Sequence, residues 1–274
     1  MIKLIIHCGD IHIRLFRRLD EYAEQLEKFV DKCSKIADGY DNNEVRILIC
    51  GDLGHSKNQI TPEFITMTSY FIRRLEEIGK VIVIAGNHDL ILNNTSRTDA
   101  ITALFSTANF TNSVFLDEEL EYKSGCVVDD NITWAVYSIY DGYIRPDIES
   151  ARRDNEGNKV IGLYHGMIVG CSLPNGVIND GGLDGDRFIG CDCVMGAHVH
   201  KRQVMDLNGI DFVYCGSLIQ QTFGETVSGH GFVVWNVEDL SHTFVDLESD
   251  YGLYSIGIDS IDDLDNDKEK VANL

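Results

Sequence analysis

Residues 81–89 read VIVIAGNHD, a short apolar run followed by a glycine and three side chains that can bind a metal ion. Runs of this length, rich in isoleucine and valine and bounded by glycine, are typical of buried β-strands. The glycine permits a tight turn directly after the strand. The same arrangement recurs at 2–8, 45–50, 160–164 and 191–195, each run being followed by glycine or histidine. The chain therefore predicts five buried strands that end in polar turns.

Helical patterns separate the early strands. Apolar residues recur at spacings of three and four over residues 15–37 and 62–78, and Pro62 suits the first turn of a helix. Alternating strands and helices predict parallel strands joined by crossover helices. The second half changes to strands separated by glycine-rich turns, at 127–128, 133–140, 211–215, 231–237 and 243–247. We therefore expect an α/β fold with two packed sheets flanked by helices, a four-layer α/β/β/α sandwich.

Metal-binding side chains follow the predicted strands in the series D-x-H, G-D, G-N-H-D, H-G and G-x-H-x-H. Because ligands of open α/β sheets bind at the carboxyl ends of the strands, we expect these side chains to meet at one edge. A single buried histidine is usually bonded to the main chain, but five ordered pieces indicate a site. The candidate ligands are Asp10, His12, Asp52, Asn87, His165, His198 and His200.

Two details of this ligand set carry further expectations. If residues 10–12 are extended, the side chains of Asp10 and His12 point to the same side. Three oxygen ligands and four imidazoles are too many for one ion and suit two octahedral first-row cations. We expect two divalent cations, with Mn²⁺ preferred over Fe²⁺ or Mg²⁺, held about 3.5–4 Å apart by a bridging carboxylate.

The series resembles the calcineurin-like metallophosphoesterases over residues 1–237. The resemblance implies a sandwich of the metallophosphoesterase type and phosphoester hydrolysis by water that the two ions activate. It also implies that His88, which is not a ligand, protonates the leaving oxygen or stabilises its charge. The implied ligand sets are Asp10, His12, Asp52 and His200 for one ion, and Asp52, Asn87, His165 and His198 for the other, with Asp52 as the bridge.

Within this superfamily, the residues after Asp52 resemble the Mre11/SbcD-type DNA repair nucleases. Serine/threonine phosphatases usually have a V-D-R-G pattern here, whereas this chain reads G-D-L-G-H at 51–55 and matches the nuclease motif G-D-L-x-H. The later segments YCGS at 214–217, FGE at 223–225 and GHGF at 229–232 resemble the Y-x-G-S…F-G-E…K-G-F segment of that family. The resemblance implies that His55 orients the catalytic His88.

The nuclease resemblance has functional implications. It implies a metal-dependent nuclease subunit with 3′–5′ exonuclease and single-strand endonuclease activity, acting in DNA double-strand-break processing, recombination or replication. The implied partners are DNA, an ABC-type ATPase of the Rad50/SbcC kind, and a second copy in a homodimer. The alternative is a calcineurin-like phosphoesterase acting on a small phosphodiester or phosphomonoester. A scaffold subunit with a vestigial metal site is a third reading, which the complete ligand set disfavours.

The net charge of −21 opposes strong DNA binding by this chain alone, because proteins that grip phosphates usually present a basic face. Residues 238–274 contain eleven acidic residues and two lysines and so supply −9 of this charge. For each candidate substrate contact, an ordinary surface or structural role is about as well supported. The candidate contacts are Arg14, Arg17, Arg18, Lys57, Arg97 and Ser217.

Composition also indicates how the chain divides into domains and in which cellular compartment the protein lies. We expect a metallophosphoesterase domain over residues 1–247 and an acidic tail over 248–274 that is either a linker or the start of a capping domain. No apolar run approaches the ~20 residues that cross a bilayer, and the apolar N-terminus lacks a cationic leader and a cleavage site. The eight cysteines lie mostly in apolar runs typical of reduced core thiols. These features predict an intracellular protein, in the cytoplasm or the nucleus or nucleoid, and not a secreted or membrane protein.

Overall fold

The structure, a computed structural model, describes residues 1–14, 17–57, 60–91, 94 and 97–254. Its strands are β1 (Leu4–Cys8), β2 (Val45–Cys50), β3 (Lys80–Ile84), β4 (Ser113–Phe115), β5 (Gly125–Asp129), β6 (Ile132–Tyr137), β7 (Lys159–His165), β8 (Cys193–Ala197), β9 (Gln203–Asp206), β10 (Asp211–Tyr214), β11 (Gly231–Asn236) and β12 (His242–Asp246). Its α-helices are α1 (Leu19–Ile36), α2 (Pro62–Glu76), α3 (Ala100–Ala108), α4 (Leu116–Glu119) and α5 (Ile148–Asp154).

The strands form two mixed six-stranded sheets. The first has the order β12-β11-β1-β2-β3-β4, and the second has the order β5-β6-β7-β8-β10-β9. In the first sheet β1 to β4 run parallel, and β11 and β12 continue it in antiparallel fashion. In the second sheet β6, β7, β8 and β10 run parallel, and β5 and β9 are antiparallel edges. The parallel strands therefore carry their carboxyl ends to a common edge in each sheet.

The two sheets pack face to face around a buried apolar layer. Ile5 and Leu48 of the first sheet share one core cluster with Trp134, Leu163 and Met195 of the second. All five side chains are fully buried. The sheets are thus fixed against each other, and so are the loops that leave them.

Helices cover the outer faces of both sheets. Phe29 of α1 and Phe71 of α2 pack in one cluster with residues on the outer face of β1, β2 and β3. On the other side, Ile148 of α5 packs with Tyr164 and Phe212 of the second sheet. Two mixed sheets flanked by helices confirm the predicted α/β/β/α class.

Helix α2 begins where the sequence predicts, whereas α1 begins later. The Thr61 side chain accepts a hydrogen bond from the Phe64 main-chain N–H at 3.3 Å, with Pro62 in the first turn. The helix predicted from residue 15 begins at Leu19, because Arg18 adopts a left-handed φ of 61° that helical residues do not adopt. Residues 15 and 16 lie outside the described residues.

Two strand predictions also need correction. The strand predicted at 191–195 begins at Cys193 and continues to Ala197, because Cys191 lies in the turn that enters it. The strand predicted at 133–140 ends at Tyr137, where Ser138 caps a short 3₁₀ turn through its side chain. Both shifts leave the following polar residues at a strand end.

The cysteines and helices bear on the remaining composition predictions. All eight cysteines are free thiols, and seven are buried while Cys126 is half-buried. None of the helices among the described residues combines the length and apolar character that a bilayer crossing requires. Of the predicted acidic tail, residues 248–254 are described. Leu253 exchanges two hydrogen bonds with the Gln220 side chain, at 2.7 and 3.1 Å.

Candidate metal centre

The predicted ligands meet in one buried cluster at the carboxyl ends of β1, β2, β3, β7 and β8. Asp10, Asp52 and His165 are each at most 1% exposed, and His12 is 3% exposed. The turns that carry them need special backbone conformations. A Cβ atom on Gly86 would overlap with Oδ1 of Asp52, so only glycine allows the turn after β3 to approach the turn after β2.

Residues 10–12 are not extended. Asp10 and His12 have φ angles of 48° and 52°, both in the left-handed region. The main chain turns because Asp10 N–H donates to the Gly51 carbonyl and His12 N–H to the Asp52 carbonyl, at 3.1 and 2.9 Å. The two side chains nevertheless face the same site, with Nε2 of His12 lying 3.9 Å from Oδ1 of Asp10.

Asp52 lies at the centre of the cluster. Its Oδ2 atom is 3.5 Å from Nε2 of His12 and 3.3 Å from Nε2 of His165. Its Oδ1 atom accepts a hydrogen bond from the His88 main-chain N–H at 2.7 Å. One carboxylate oxygen therefore lies between two sets of ligands, as a bridge requires.

The two sets lie on either side of Asp52. Asp10, His12 and His200 form one group and Asp52, His165 and His198 another, each with ligand atoms within 4.8 Å of one another. The amide oxygen of Asn87 joins the second group, 2.7 Å from Nδ1 of His198 and 3.3 Å from Nε2 of His165. His12, His55 and His88 form a third grouping of the same size.

The first group has the chemistry of a cation site. Oδ1 of Asp10 is buried and has no hydrogen-bond partner among the described residues, although its Oδ2 accepts from the His198 N–H at 2.7 Å. A buried, unpaired carboxylate oxygen costs free energy unless a cation or a donor satisfies it. Nε2 of His12 and Nε2 of His200 lie 3.2 Å apart and both lie within 4 Å of this oxygen. Imidazole and carboxylate donors in this arrangement fit a first-row divalent cation.

The pKa values of the two carboxylates of the centre, Asp10 and Asp52, are shifted in opposite directions. Burial raises the pKa of Asp10 to about 6. Burial also opposes ionisation of Asp52, but His165, His12 and the N–H of His88 outweigh it and hold the pKa of Asp52 below its ordinary value. Burial lowers the pKa of His165, but Asp52 outweighs this effect and raises it to about 10. Without a cation, the Asp52 carboxylate and the protonated His165 ring form an ion pair. A bound cation would displace the proton of His165.

His88 is fixed by the loop after β2. Its Nδ1 atom lies 2.8 Å from the His55 carbonyl oxygen, so Nδ1 carries the hydrogen and donates it. The two rings stack with centroids 5.3 Å apart and an interplanar angle of 20°. Arg14 Nη1 lies 3.0 Å from Nε2 of His55 and donates to it. Burial and the Arg14 charge lower the pKa of His55 to about 4, which keeps its ring neutral and able to accept this bond.

Two acidic residues organise the site without being predicted from the sequence. Asp89 is buried and accepts from the N–H groups of Asp52 and Gly86 at 2.7 and 2.8 Å, which ties the second and third turns together. Glu225 accepts from Nδ1 of His200 at 2.9 Å. Each lies in a quoted motif, Asp89 in G-N-H-D and Glu225 in F-G-E, but spacing alone did not reveal which atoms they bond.

The predicted substrate contacts fall into two classes. Arg14 is held by His55 and by the Gln221 carbonyl, the latter at 3.1 Å, and Arg18 is ion-paired with Glu21. Within the described part of the chain, the remaining three cations form no ion pair. Those cations are Arg17 and Arg97, which are exposed, and Lys57, which is half-buried.

Ser217 does not fit its predicted role as a substrate contact. It is fully buried, and its hydroxyl lies 3.0 Å from Nδ1 of His230. Its main-chain N–H donates to the His200 carbonyl at 3.3 Å. Ser217 therefore stabilises the segment that contains His200, and its side chain is not exposed for contact with a substrate.

Residues 3–202 match the family model described as calcineurin-like phosphoesterase, and the chain belongs to that family. It is 35% identical over 265 residues to an uncharacterized protein of Acanthamoeba polyphaga mimivirus. That alignment covers 94% of this chain but spans only 19% of the relative's length.

One similar solved structure agrees with the fold. TT1561 of Thermus thermophilus superposes with a TM-score of 0.51 at 12% identity, over 90% of this chain and 100% of its own. A structure described as a novel archaeal phosphodiesterase gives a TM-score of 0.42 at 12% identity, over 89% and 99%. The family and the clustered ligands define a metallophosphoesterase, a class of metal-dependent hydrolase.

Proposed function

We propose that this chain is the catalytic domain of a two-metal DNA nuclease of the Mre11/SbcD type. The observation that carries the proposal is the placement of His88. Its ring is hydrogen-bonded to the His55 carbonyl, in the loop of the G-D-L-x-H motif. Its main-chain N–H is hydrogen-bonded to the proposed bridging residue, Asp52. The proposed proton-transferring imidazole therefore lies beside the Asp10–His12–His200 group, with its ring centroid 4.8 Å from that of His12.

The residues of the centre divide the chemistry among them. Two divalent cations, with Mn²⁺ as our preferred metal, would supply Lewis-acid activation of water and of the phosphoryl oxygens. Asp10, His12 and His200 would hold one, Asn87, His165 and His198 the other, with Asp52 between them. Because Nδ1 of His88 is committed to the His55 carbonyl, its Nε2 is the atom that exchanges a proton with the leaving oxygen.

The residues near Asp52 favour a phosphodiester over a phosphomonoester. A terminal phosphate carries an additional charge that an arginine usually binds. Here Leu53 follows the bridging aspartate and is buried, and the nearby Arg14 is already bonded to His55 and Gln221. The centre therefore offers the substrate two metal ions and His88 but no free guanidinium from these residues.

A second candidate, a small-phosphodiester hydrolase, is favoured by the charge. The net charge is −21, and two of the five candidate cations are engaged by protein groups. For the nuclease, we propose that a Rad50/SbcC-type ATPase contributes to DNA binding, that the chain forms homodimers, and that the protein is intracellular. We also propose that residues 1–247 form the catalytic domain and that residue 248 begins a linker or a capping domain.

Digestion of end-labelled duplex DNA in Mn²⁺, with bis-p-nitrophenyl phosphate hydrolysis measured in parallel, tests the proposal. We expect nucleotides to be released from 3′ ends by the native chain and not by His88→Ala. Brisk cleavage of the small diester without cleavage or binding of DNA would favour the second candidate. Hydrolysis of neither substrate, in the presence of bound Mn²⁺, would contradict both.

A further inference from the structure

Glu225 is a buried carboxylate that touches the metal centre through His200. Its side chain is 4% exposed, and its Oε1 accepts a hydrogen bond from Nδ1 of His200 at 2.9 Å. A buried carboxylate is costly unless its oxygens are satisfied, so its placement beside an imidazole calls for a role. It lies 25 positions from His200 in sequence, on the loop that precedes β11.

The loop around Glu225 is built to orient this carboxylate. Oε2 accepts from the Gln221 main-chain N–H at 2.8 Å, and Oε1 also accepts from the Thr222 hydroxyl at 3.1 Å. The Glu225 carbonyl accepts from the Gln220 side chain at 3.0 Å, and its N–H donates to the Thr222 carbonyl at 3.2 Å. Both oxygens are therefore filled, and the direction of the His200 contact is fixed by the protein.

This contact decides which nitrogen of His200 is available to a cation. A carboxylate accepts but does not donate, so Nδ1 of His200 carries the hydrogen. Nε2 then presents a lone pair to the space shared with Nε2 of His12, 3.2 Å away, and with Oδ1 of Asp10, 3.8 Å away. A carboxylate partner also makes the imidazole a stronger ligand.

Among the residues that the structure describes, the other imidazoles of the centre have no comparable partner. Nδ1 of His165 donates to the neutral Cys50 carbonyl at 2.8 Å. Nδ1 of His12 has no hydrogen-bond partner among the described residues, and Nδ1 of His198 faces the Asn87 amide oxygen inside the centre. A charged support outside the ligand set is thus confined to the Asp10–His12–His200 group.

We propose that Glu225 is a positioning residue that sets the affinity of the Asp10–His12–His200 ion separately from that of the second ion. The inference rests on the proposed two-metal centre, and it does not depend on the identity of the phosphoester substrate. The two ions then differ in affinity because their ligands are supported differently. Removal of such a partner typically weakens metal binding by about 10–100-fold.

Calorimetric titration of the metal-free native chain and its variants with Mn²⁺ tests this. In Glu225→Gln we expect one of two dissociation constants to rise by about 10–100-fold while the other stays unchanged. The unchanged site reports an intact fold. The matched control is Glu76→Gln, the same substitution at a carboxylate outside the centre that accepts from the Thr111 and Asn112 main-chain N–H groups, and it is expected to bind both ions normally.

A double-mutant comparison shows whether Glu225 acts through His200. In a His200→Ala background, we expect Glu225→Gln to have no further effect on Mn²⁺ affinity. A further loss in that background, an equal loss at both sites, or native affinity in Glu225→Gln would each overturn the inference. A native chain that binds fewer than two Mn²⁺ ions would instead overturn the two-metal centre itself.

Discussion

Nδ1 of His88 lies 2.8 Å from the main-chain carbonyl oxygen of His55, so the main chain of His55, and not its ring nitrogen, holds the proposed catalytic imidazole. The His55 ring stacks on His88 and accepts from Arg14 on its other side. The predicted orienting role of His55 is therefore divided between a main-chain bond and a stacked side chain. Substitutions at the two histidines should separate these contributions.

We predict that His88→Ala lowers kcat for bis-p-nitrophenyl phosphate by about 10²–10⁴-fold, because it removes the group that transfers the proton. His55→Ala should lower kcat much less, since the carbonyl that holds Nδ1 of His88 is retained. Steady-state kinetics and metal analysis of both variants check this, and both are expected to retain two ions. Equal losses in the two variants would show that the His55 ring itself is required.

Arg14 is predicted to act on turnover and not on substrate binding. It bridges Nε2 of His55 and the Gln221 carbonyl, at 3.0 and 3.1 Å. Lysine keeps the charge but cannot make both bonds from one planar group. We expect Arg14→Lys and Arg14→Ala to lower kcat by about tenfold with little change in KM. If Arg14 binds the phosphate instead, KM should rise in Arg14→Ala and lysine should restore it.

The free cations are predicted to contribute to DNA binding. Because Arg17, Lys57 and Arg97 form no ion pair within the described residues, each can contact a DNA phosphate. In a cleavage-deficient background, replacing any one by glutamine should weaken binding and reduce the slope of log K against log salt by about 1. Arg18→Gln is the matched control, since Arg18 is already paired with Glu21. Equal slopes for all four variants would exclude these phosphate contacts.

Asp117 is predicted to make stability depend on pH. It accepts from the Ala85 N–H at 2.8 Å, just before the G-N-H-D turn, and burial raises its pKa to about 6. The unfolded carboxyl titrates near pH ~3.9, so between these values the folded state binds more protons than the unfolded state. The free energy of unfolding must then fall as the pH rises through this window and remain lower above it.

The variant Asp117→Asn removes this titration. Its free energy of unfolding relative to the native chain should rise by about 2 kcal/mol between pH 4 and pH 7. Urea unfolding of both proteins at one fixed Mn²⁺ concentration measures the difference. A difference that does not change with pH would show that Asp117 titrates alike in the folded and unfolded chains.

The sequence was sufficient for the features that depend on local pattern. Short apolar runs ending in glycine located the strands, and the carboxyl ends of parallel strands brought Asp52, Asn87 and His165 together. Asp10 and His12 adopt left-handed φ angles because their N–H groups donate to carbonyls of the loop after β2. No local pattern reports such a bond between two loops.

Contacts between loops that are distant in sequence could not be predicted either, because no local pattern reports them. The bond between Glu225 and His200 and the burial of Ser217 depend on how loops pack after the sheets have assembled. Closeness to a motif in sequence therefore did not reveal which of the candidate cations are already bonded to protein groups. The clustering of the candidate metal ligands was predictable because each follows the carboxyl end of a strand.

The anomalous difference map of crystals soaked in Mn²⁺ tests the two-metal centre most directly. It should show two peaks about 3.5–4 Å apart. One should lie against Asp10, His12 and His200 and the other against Asn87, His165 and His198, with Asp52 between them. Asp52→Ala crystals should lose both peaks. A single peak, or a peak within the grouping of His12, His55 and His88, would contradict the proposed centre.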